Sequence, residues 1–411
     1  MKLRFLPALA ALSLFVACGD PPADTPEVTW YRDVLPIAQT QCTSCHATGG
    51  IGTFSMLSYE DVKPWAGKMA DEVEAGTMPP WKPAPGCGTF EHERTLTSEE
   101  IAVFRAWADA GAPEGDVADK PAAPPARDEL AWVDQIVEPA ADYVPSGQVA
   151  DDYHCFILDP QLSADQHVIG MDVQPGSTRM VHHVILFQAP RTGAEAKEAA
   201  DTQPGPGWSC YGSAGISGEE VVGVWVPGSP VITYPETTGV VVPKDNVYVM
   251  QVHYNTAAGE PVADRTKVKL QYAKTPVARP AKVPVLLDTG FSIPAGATGY
   301  TYEFSYTSPI TTRLWGLMPH MHQLGVSMKV WMEEKDIDTG LMNDVCLIDI
   351  PEWDFEWQQN YMYTDPEGIL VPAGSVLHIS CTWDNPGDQP VNFGEGTSDE
   401  MCLSFFYVTQ P

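Results

Sequence analysis

Apolar positions follow two different rhythms along this chain. From residue 29 to 117 they recur every three or four residues, the spacing of a helix face. The stretch WYRDVLPIAQTQ (30–41) has this spacing, and so does LTSEEIAVFRAWADAGAP (96–113). In the second, Thr97 is placed to cap a helix, with Glu100 completing a capping box. Ile101, Phe104 and Trp107 then share one face, and Gly111 and Pro113 end it. After residue 128 the rhythm becomes that of strands. HVIGMDV, TGVVVP, NVYVMQVHYN, KVKLQYA, GYTYEFSY, VSMKVWM and SVLHISCTW are short β-branched and aromatic runs separated by turn residues. Many closely spaced strands suggest sandwiches, and some 280 residues are too many for a single small one. The pattern therefore predicts a small α-helical unit (29–117) followed by two tandem all-β sandwich domains, 129–280 and 281–411, with the joint in PVARPAKVP (276–284).

Proline-rich segments separate these parts. ADKPAAPPARD (118–128) reads as a Pro/Ala linker, and the polar stretch up to residue 28 as a tether. The chain opens MKLRFLPALAALSLFVACGD, in which Lys2 and Arg4 precede an apolar run with a small-residue ending. Residues 1–17 are expected to be a signal peptide. The junction resembles a bacterial lipobox, although Phe15 replaces the usual Leu, so Cys18 is expected to carry lipid and begin the tether 18–28. An exported lipoprotein of a bacterial cell envelope follows, held to the membrane by that lipid alone. No later run is long enough to span a bilayer. The net charge of −31 makes a nucleic-acid partner a poor expectation, and otherwise reads as a solvated surface. A monomer is expected.

Export makes disulfides possible, and there are nine cysteines. Two of them lie in CTSCH, where Cys42 and Cys45 can form thioethers to a c-type haem and His46 can be the proximal iron ligand. The second axial ligand should be Met or His. Met78, in EAGTMPPW, lies between an expected helix and a rigid Pro-Pro turn; Met56 and Met69 compete for the role. The segment 29–117 resembles a small class I cytochrome c domain, of the variant with MPPW and a closing W-x-x-x-G-A-P helix. An even six cysteines remain besides Cys18, and spacing alone does not fix their pairing.

Five of the ten histidines have ligand-like spacing. RMVHHVILF supplies His182 and His183, MQVHYNT supplies His253, and LMPHMHQLG supplies His320 and His322. In a strand, His320 and His322 would point to one side. The adjacent pair His182 and His183 needs a bulge or a strand end to converge, with His253 as a third ligand. Imidazole suits copper, zinc, iron or nickel. His154, His167 and His378 read as structural.

VHHVILF, QVHYN, HMHQLG and DEMC occur here in the order found in the copper type II, ascorbate-dependent monooxygenases, and residues 129–411 resemble that family. The resemblance implies two jelly-roll-like domains with one copper each, facing across an open cleft. His182, His183 and His253 would hold an electron-transfer copper. His320, His322 and Met401 would hold an oxygen-binding copper and be catalytic. It also implies the disulfides Cys155–Cys210 and Cys381–Cys402, with Gln251 as a residue that orients a ligand or the substrate. Cys87 and Cys346 are left without family partners and could clasp the helical unit to the copper domains. Where a peptide-specific member binds its substrate carboxylate, this chain has Met318, Leu403 and Phe405, so an apolar pocket for a neutral or amine substrate is expected. The reading is a two-copper monooxygenase that takes O2 and a small molecule, with electrons passing from an envelope donor through the haem to the three-histidine site. The alternatives are a non-enzymatic copper-binding electron carrier and an oxidase that reduces O2 without hydroxylating anything.

Overall fold

The computed structural model describes residues 27–48, 52–122, 129–335 and 342–411. The expected signal peptide, Cys18, most of the tether and linker residues 123–128 lie outside the described residues. Among the described residues, no helix is long and apolar enough to cross a membrane.

The helical spacing of the first segment is realised. Helical backbone runs from Trp30 to Gln41, and further helices span Ala66–Glu74 and Ser98–Asp109. Thr97 accepts from the Glu100 backbone while the Glu100 side chain accepts from Thr97, closing the capping box. Trp30, Phe104 and Trp107 are almost fully buried at the centre of this unit. The unit is less self-contained than its spacing implied. Residues 81–94 leave the helices and lie on the C-terminal β domain. There Phe90 enters that domain's core, Trp81 meets Tyr361 edge-on at 5.6 Å, and the Ala84 amide donates to the Asp349 carbonyl. The Cys87–Cys346 disulfide locks the contact. The other two disulfides are Cys155–Cys210 and Cys381–Cys402.

The rest of the described chain is mostly β-sheet, arranged as two sandwiches. Each has a sheet of its own: five strands in the first, centred on Asn246–Asn255, and four in the second, centred on Val376–Trp383 and Gly325–Lys335. The opposing layer is shared. An 11-stranded sheet continues from one sandwich to the other through the strand Arg279–Lys282. That strand runs parallel to Thr238–Val242 on one side and antiparallel to Leu403–Thr409 on the other. The predicted joint therefore falls on a strand that belongs to both halves.

The strand Asn246–Asn255 shows how alternation places the chemistry. Met250, Val252 and Tyr254 enter the first sandwich core, while Gln251 and His253 point to the opposite face. That face looks across at the second sandwich.

Candidate metal centres

His182 and His183 converge because of a bulge. Val181 pairs with Tyr254 and His183 with His253, so His182 is the extra residue in the ladder. The inserted residue turns both imidazoles to the side that His253 occupies. The Nδ1 atoms of His182 and His183 are 3.3 Å apart, and those of His183 and His253 are 3.4 Å apart. Two nitrogens each ~2.0 Å from one ion and about 110–120° apart would be separated by about 3.3–3.5 Å. These three residues are a group of metal-ligating side chains that could hold one ion. His253 donates its Nε2–H to Asp151 Oδ1 at 2.9 Å, which leaves Nδ1 as the lone-pair nitrogen facing the other two rings. Burial opposes ionisation of the Asp151 carboxyl, but donors from His253 and Thr397 outweigh it and hold the group well below the usual carboxylate range. Desolvation pushes His182 down to about 4 and His183 well below its ordinary value, with His253 adding to both. Neutral imidazole is the ligating form.

The second set is built differently from the expected pattern. The strand Thr312–His320 ends at its first histidine, and His322 follows in the turn beyond it. Met401 likewise lies just before the strand Leu403–Thr409 rather than in it. Convergence is therefore set by loops, not by strand alternation. The His320 and His322 rings are 5.1 Å apart and nearly perpendicular. His320 donates its Nδ1–H to Gln358 Oε1, and His322 donates Nδ1–H to the Asp399 carbonyl at 3.0 Å. Both leave Nε2 free as a ligand atom. Desolvation lowers both rings, His320 to about 3.

Glu400 ties these loops together. It is fully buried, and its carboxylate accepts from the backbone amides of His322 (2.9 Å) and Leu324 (2.7 Å) and from Trp383 Nε1 (2.9 Å). Burial raises this carboxyl to about 7 against the pull of those donors. The Cys381–Cys402 bond braces the same corner, one residue after Met401.

The two histidine sets do not face each other across an open gap. The His183 and His320 ring centroids are 6.5 Å apart, and Phe355 stacks on His182 at 5.0 Å while lying 6.0 Å from His322. Phe355, Gln358, Asp151 and Glu400 were not singled out by sequence reasoning. Only the DEMC motif carried a hint, for Glu400. Met318, Leu403, Phe405, Gln251 and Met401 line the same cavity as four of the histidines, which has a volume of about 1070 Å3. The Gln251 amide donates toward Cys210 Sγ at 3.7 Å.

Residues 138–261 match the family model described as copper type II ascorbate-dependent monooxygenase, N-terminal domain, and residues 301–410 match its C-terminal domain. The chain belongs to this family. It is a copper-dependent monooxygenase, and the family implies O2, a small substrate and an ascorbate-type reductant. Solved structures that overlap it include the major capsid protein P2 from bacteriophage PM2, at 10% identity and TM-score 0.27, covering 67% of this chain and 97% of that one. The infectious bursal disease virus VP2 subviral particle overlaps at 9% identity and TM-score 0.19, covering 70% and 74%. Overlaps this loose carry no argument.

In the helical unit, Cys42 and Cys45 are the two unpaired cysteines among the described residues. His46 hydrogen-bonds through Nδ1 to the Phe54 carbonyl at 2.9 Å, which leaves Nε2 as a potential ligand atom. Met56 and Met69 are packed in the unit's core, whereas Met78 is only partly buried. Arg94 donates to Gln359 Oε1 at 2.8 Å, its Nη1 is 4.0 Å from Cys45 Sγ, and its buried Nε has no partner. Of the histidines read as structural, His154 is buried with its Nε2 on the Pro206 carbonyl at 2.8 Å, and His378 stacks on Trp331.

Proposed function

We propose that this monooxygenase holds two coppers, one on His182, His183 and His253 and one on His320, His322 and Met401, and hydroxylates a C–H bond. The overall balance is R–H + O2 + 2 electrons + 2 protons giving R–OH + H2O. Bound copper would supply the oxygen chemistry; the protein sets geometry and excludes water. Asp151, Gln358 and the Asp399 carbonyl fix which imidazole nitrogen is free at His253, His320 and His322. The Met401 thioether is a soft donor that favours Cu(I). Met318, Leu403 and Phe405 surround the second set with apolar surface, which suits a neutral hydrophobic substrate.

The reading includes a covalent c-type haem on Cys42 and Cys45, with His46 and Met78 as axial residues. Support comes from the two unbridged cysteines, the hydrogen-bonded His46 and the orphaned Arg94 Nε. The haem would supply single electrons. The segment 354–361 is the natural point of entry: Phe355 stacks on His182, Gln358 holds His320, and Gln359 meets Arg94. The reading also retains an exported, lipid-anchored chain that begins at Cys18.

The observation that carries the reading is the convergence of three Nδ1 atoms beside the His320 and His322 rings. It is tested by metal and haem content per chain. One haem and two coppers are expected, with one copper lost in His253→Ala and the other weakened in Met401→Ala. Full copper retention in both variants would refute the assignment, and absence of haem after maturation would remove the cytochrome part.

A further inference from the structure

The His253 ring is fixed on two sides by residues of the strand Asp151–Leu158. Asp151 Oδ1 accepts from its Nε2–H at 2.9 Å, and the Tyr153 ring lies flat on the imidazole, 4.1 Å away and 8° from parallel. Asp151 and Tyr153 are two residues apart on the strand and point to one side of the sheet. Both are held in turn by the loop 394–400 of the second sandwich. The Tyr153 hydroxyl donates to the Glu395 carbonyl at 2.7 Å. The Thr397 amide donates to Asp151 Oδ2 at 3.1 Å, and the Thr397 hydroxyl donates to Oδ1, the oxygen that His253 also uses. The Glu395 carboxylate adds a further contact by accepting from the Gly212 amide. Gly212 has a φ of +61°, and a Cβ there would fall 1.9 Å from Glu395 Oε1, so glycine is what lets the loop approach.

The loop takes its shape from within the second sandwich. The Gly394 amide donates to the Glu400 carbonyl, the Asp399 amide to the Gly396 carbonyl, and the Gly396 amide to Asp399 Oδ2. Glu400 is buried at its end, and the Cys381–Cys402 bond braces the residues just beyond. The same loop offers the Asp399 carbonyl to His322 and leads into Met401. A short, internally braced segment therefore supports both histidine sets. It reaches His253 only through Asp151 and Tyr153.

We propose that Thr397 is a positioning residue for the three-histidine copper, so that a centre whose ligands all lie in the first sandwich is completed by the second. Its amide and hydroxyl occupy both Asp151 oxygens and stop the carboxylate from rotating. Oδ1 then stays in line with the His253 Nε2–H, and Nδ1 stays turned toward the metal. A carboxylate free to turn would still attract that proton but would not fix the ring. This rests on the proposed copper at His182, His183 and His253, and adds a residue outside the sandwich that holds them.

The test compares full-chain Thr397→Val and Thr397→Ser with the unsubstituted protein. Valine keeps the shape and the backbone amide but removes the hydroxyl; serine restores it. In competition with a Cu(I) chelator, valine should weaken the three-histidine copper about tenfold, and serine should stay within about twofold of the unsubstituted protein. When that copper is stripped from the valine variant, X-ray absorption of the rest should approach about one sulfur per copper, from about half before, because Met401 keeps its ion. The second readout needs no metal. In protein labelled with nitrogen-15 histidine, the His253 Nε2–H is identified by its loss in His253→Ala. It should exchange with solvent roughly tenfold faster in the valine variant than in the other two. Equal copper affinity and equal exchange in all three proteins overturn the proposal. So does equal weakening of both coppers in the valine variant, which would make the loop a strut between the sandwiches. If the unsubstituted chain binds no copper, the proposed function falls and the exchange rates alone decide this inference. Copper held equally by all three leaves the proposed function standing and sinks only the role of Thr397.

Discussion

Replacing Glu400 with alanine should be among the most damaging single substitutions in the second sandwich. The side chain is fully buried, so bulk water does not already satisfy its partners. Three donors reach it at 2.7–2.9 Å, and the Met401 amide at 3.3 Å. Each stranded buried donor costs about 1–3 kcal/mol. Allowing for a water entering the vacated space, the loss should be about 3–6 kcal/mol. For a unit of 150–250 residues this is a fall in Tm of about 6–24 °C. Differential scanning calorimetry of the metal-free full chain measures it without interference from copper. Glu400→Gln keeps the volume and one acceptor oxygen but turns an NH2 toward the donors, so it should fall between the two. Because the same carboxylate holds the His322 and Met401 backbones, copper on the second set should also become easier to strip. A Tm change below about 2 °C in Glu400→Ala would show that the loops hold their shape without the carboxylate, and would refute the argument.

Asp151→Asn should lower copper affinity at the three-histidine set by about 10–100-fold in competition with a chelator, with copper at the second set unchanged. His154 offers a pH test. Burial depresses its imidazole below the ordinary value, so the unfolded chain takes up the proton from about pH 6.5 while the folded one does so only lower. The neutral ring's contribution is thus present above pH 6.5 and lost as pH falls below it. His154→Gln should reduce the slope of stability against pH between 6.5 and 5; an unchanged slope would contradict this. Cys346→Ser should let a protease cut engineered into the 118–128 linker release the helical unit on a non-reducing gel. The unsubstituted protein should stay joined until reduced.

Much of the fold was legible because its signals are local. Each strand run read from the sequence is a strand, and NVYVMQVHYN matches its bounds residue for residue. The Thr97 capping box needs four residues and no tertiary context. The shared 11-stranded sheet was not legible, since a strand's second partner lies more than a hundred residues away. The same division runs through the site. The bulge at His182 was a stated requirement of two adjacent ligands, and the structure supplies it. The placement of His322 and Met401 in loops was missed because an H-x-H spacing fits a strand and a strand end equally well. Asp151, Gln358 and Glu400 act through contacts 38 to 102 residues away, which no spacing rule can report.

The Cys87–Cys346 bond spans 259 residues and encloses the whole three-histidine sandwich. Cys87 therefore has no correct partner until nearly the entire chain has been made and its last domain has folded. During that interval its nearest thiols in sequence are Cys42 and Cys45, which must stay unbridged if they are to bond haem. Desolvation pushes the half-buried Cys42 thiol up to about 12, and a thiol that seldom ionises is slow to attack a disulfide. With haem bound as proposed, maturation becomes a sorting problem in which Cys42 and Cys45 stay reduced while six other cysteines pair.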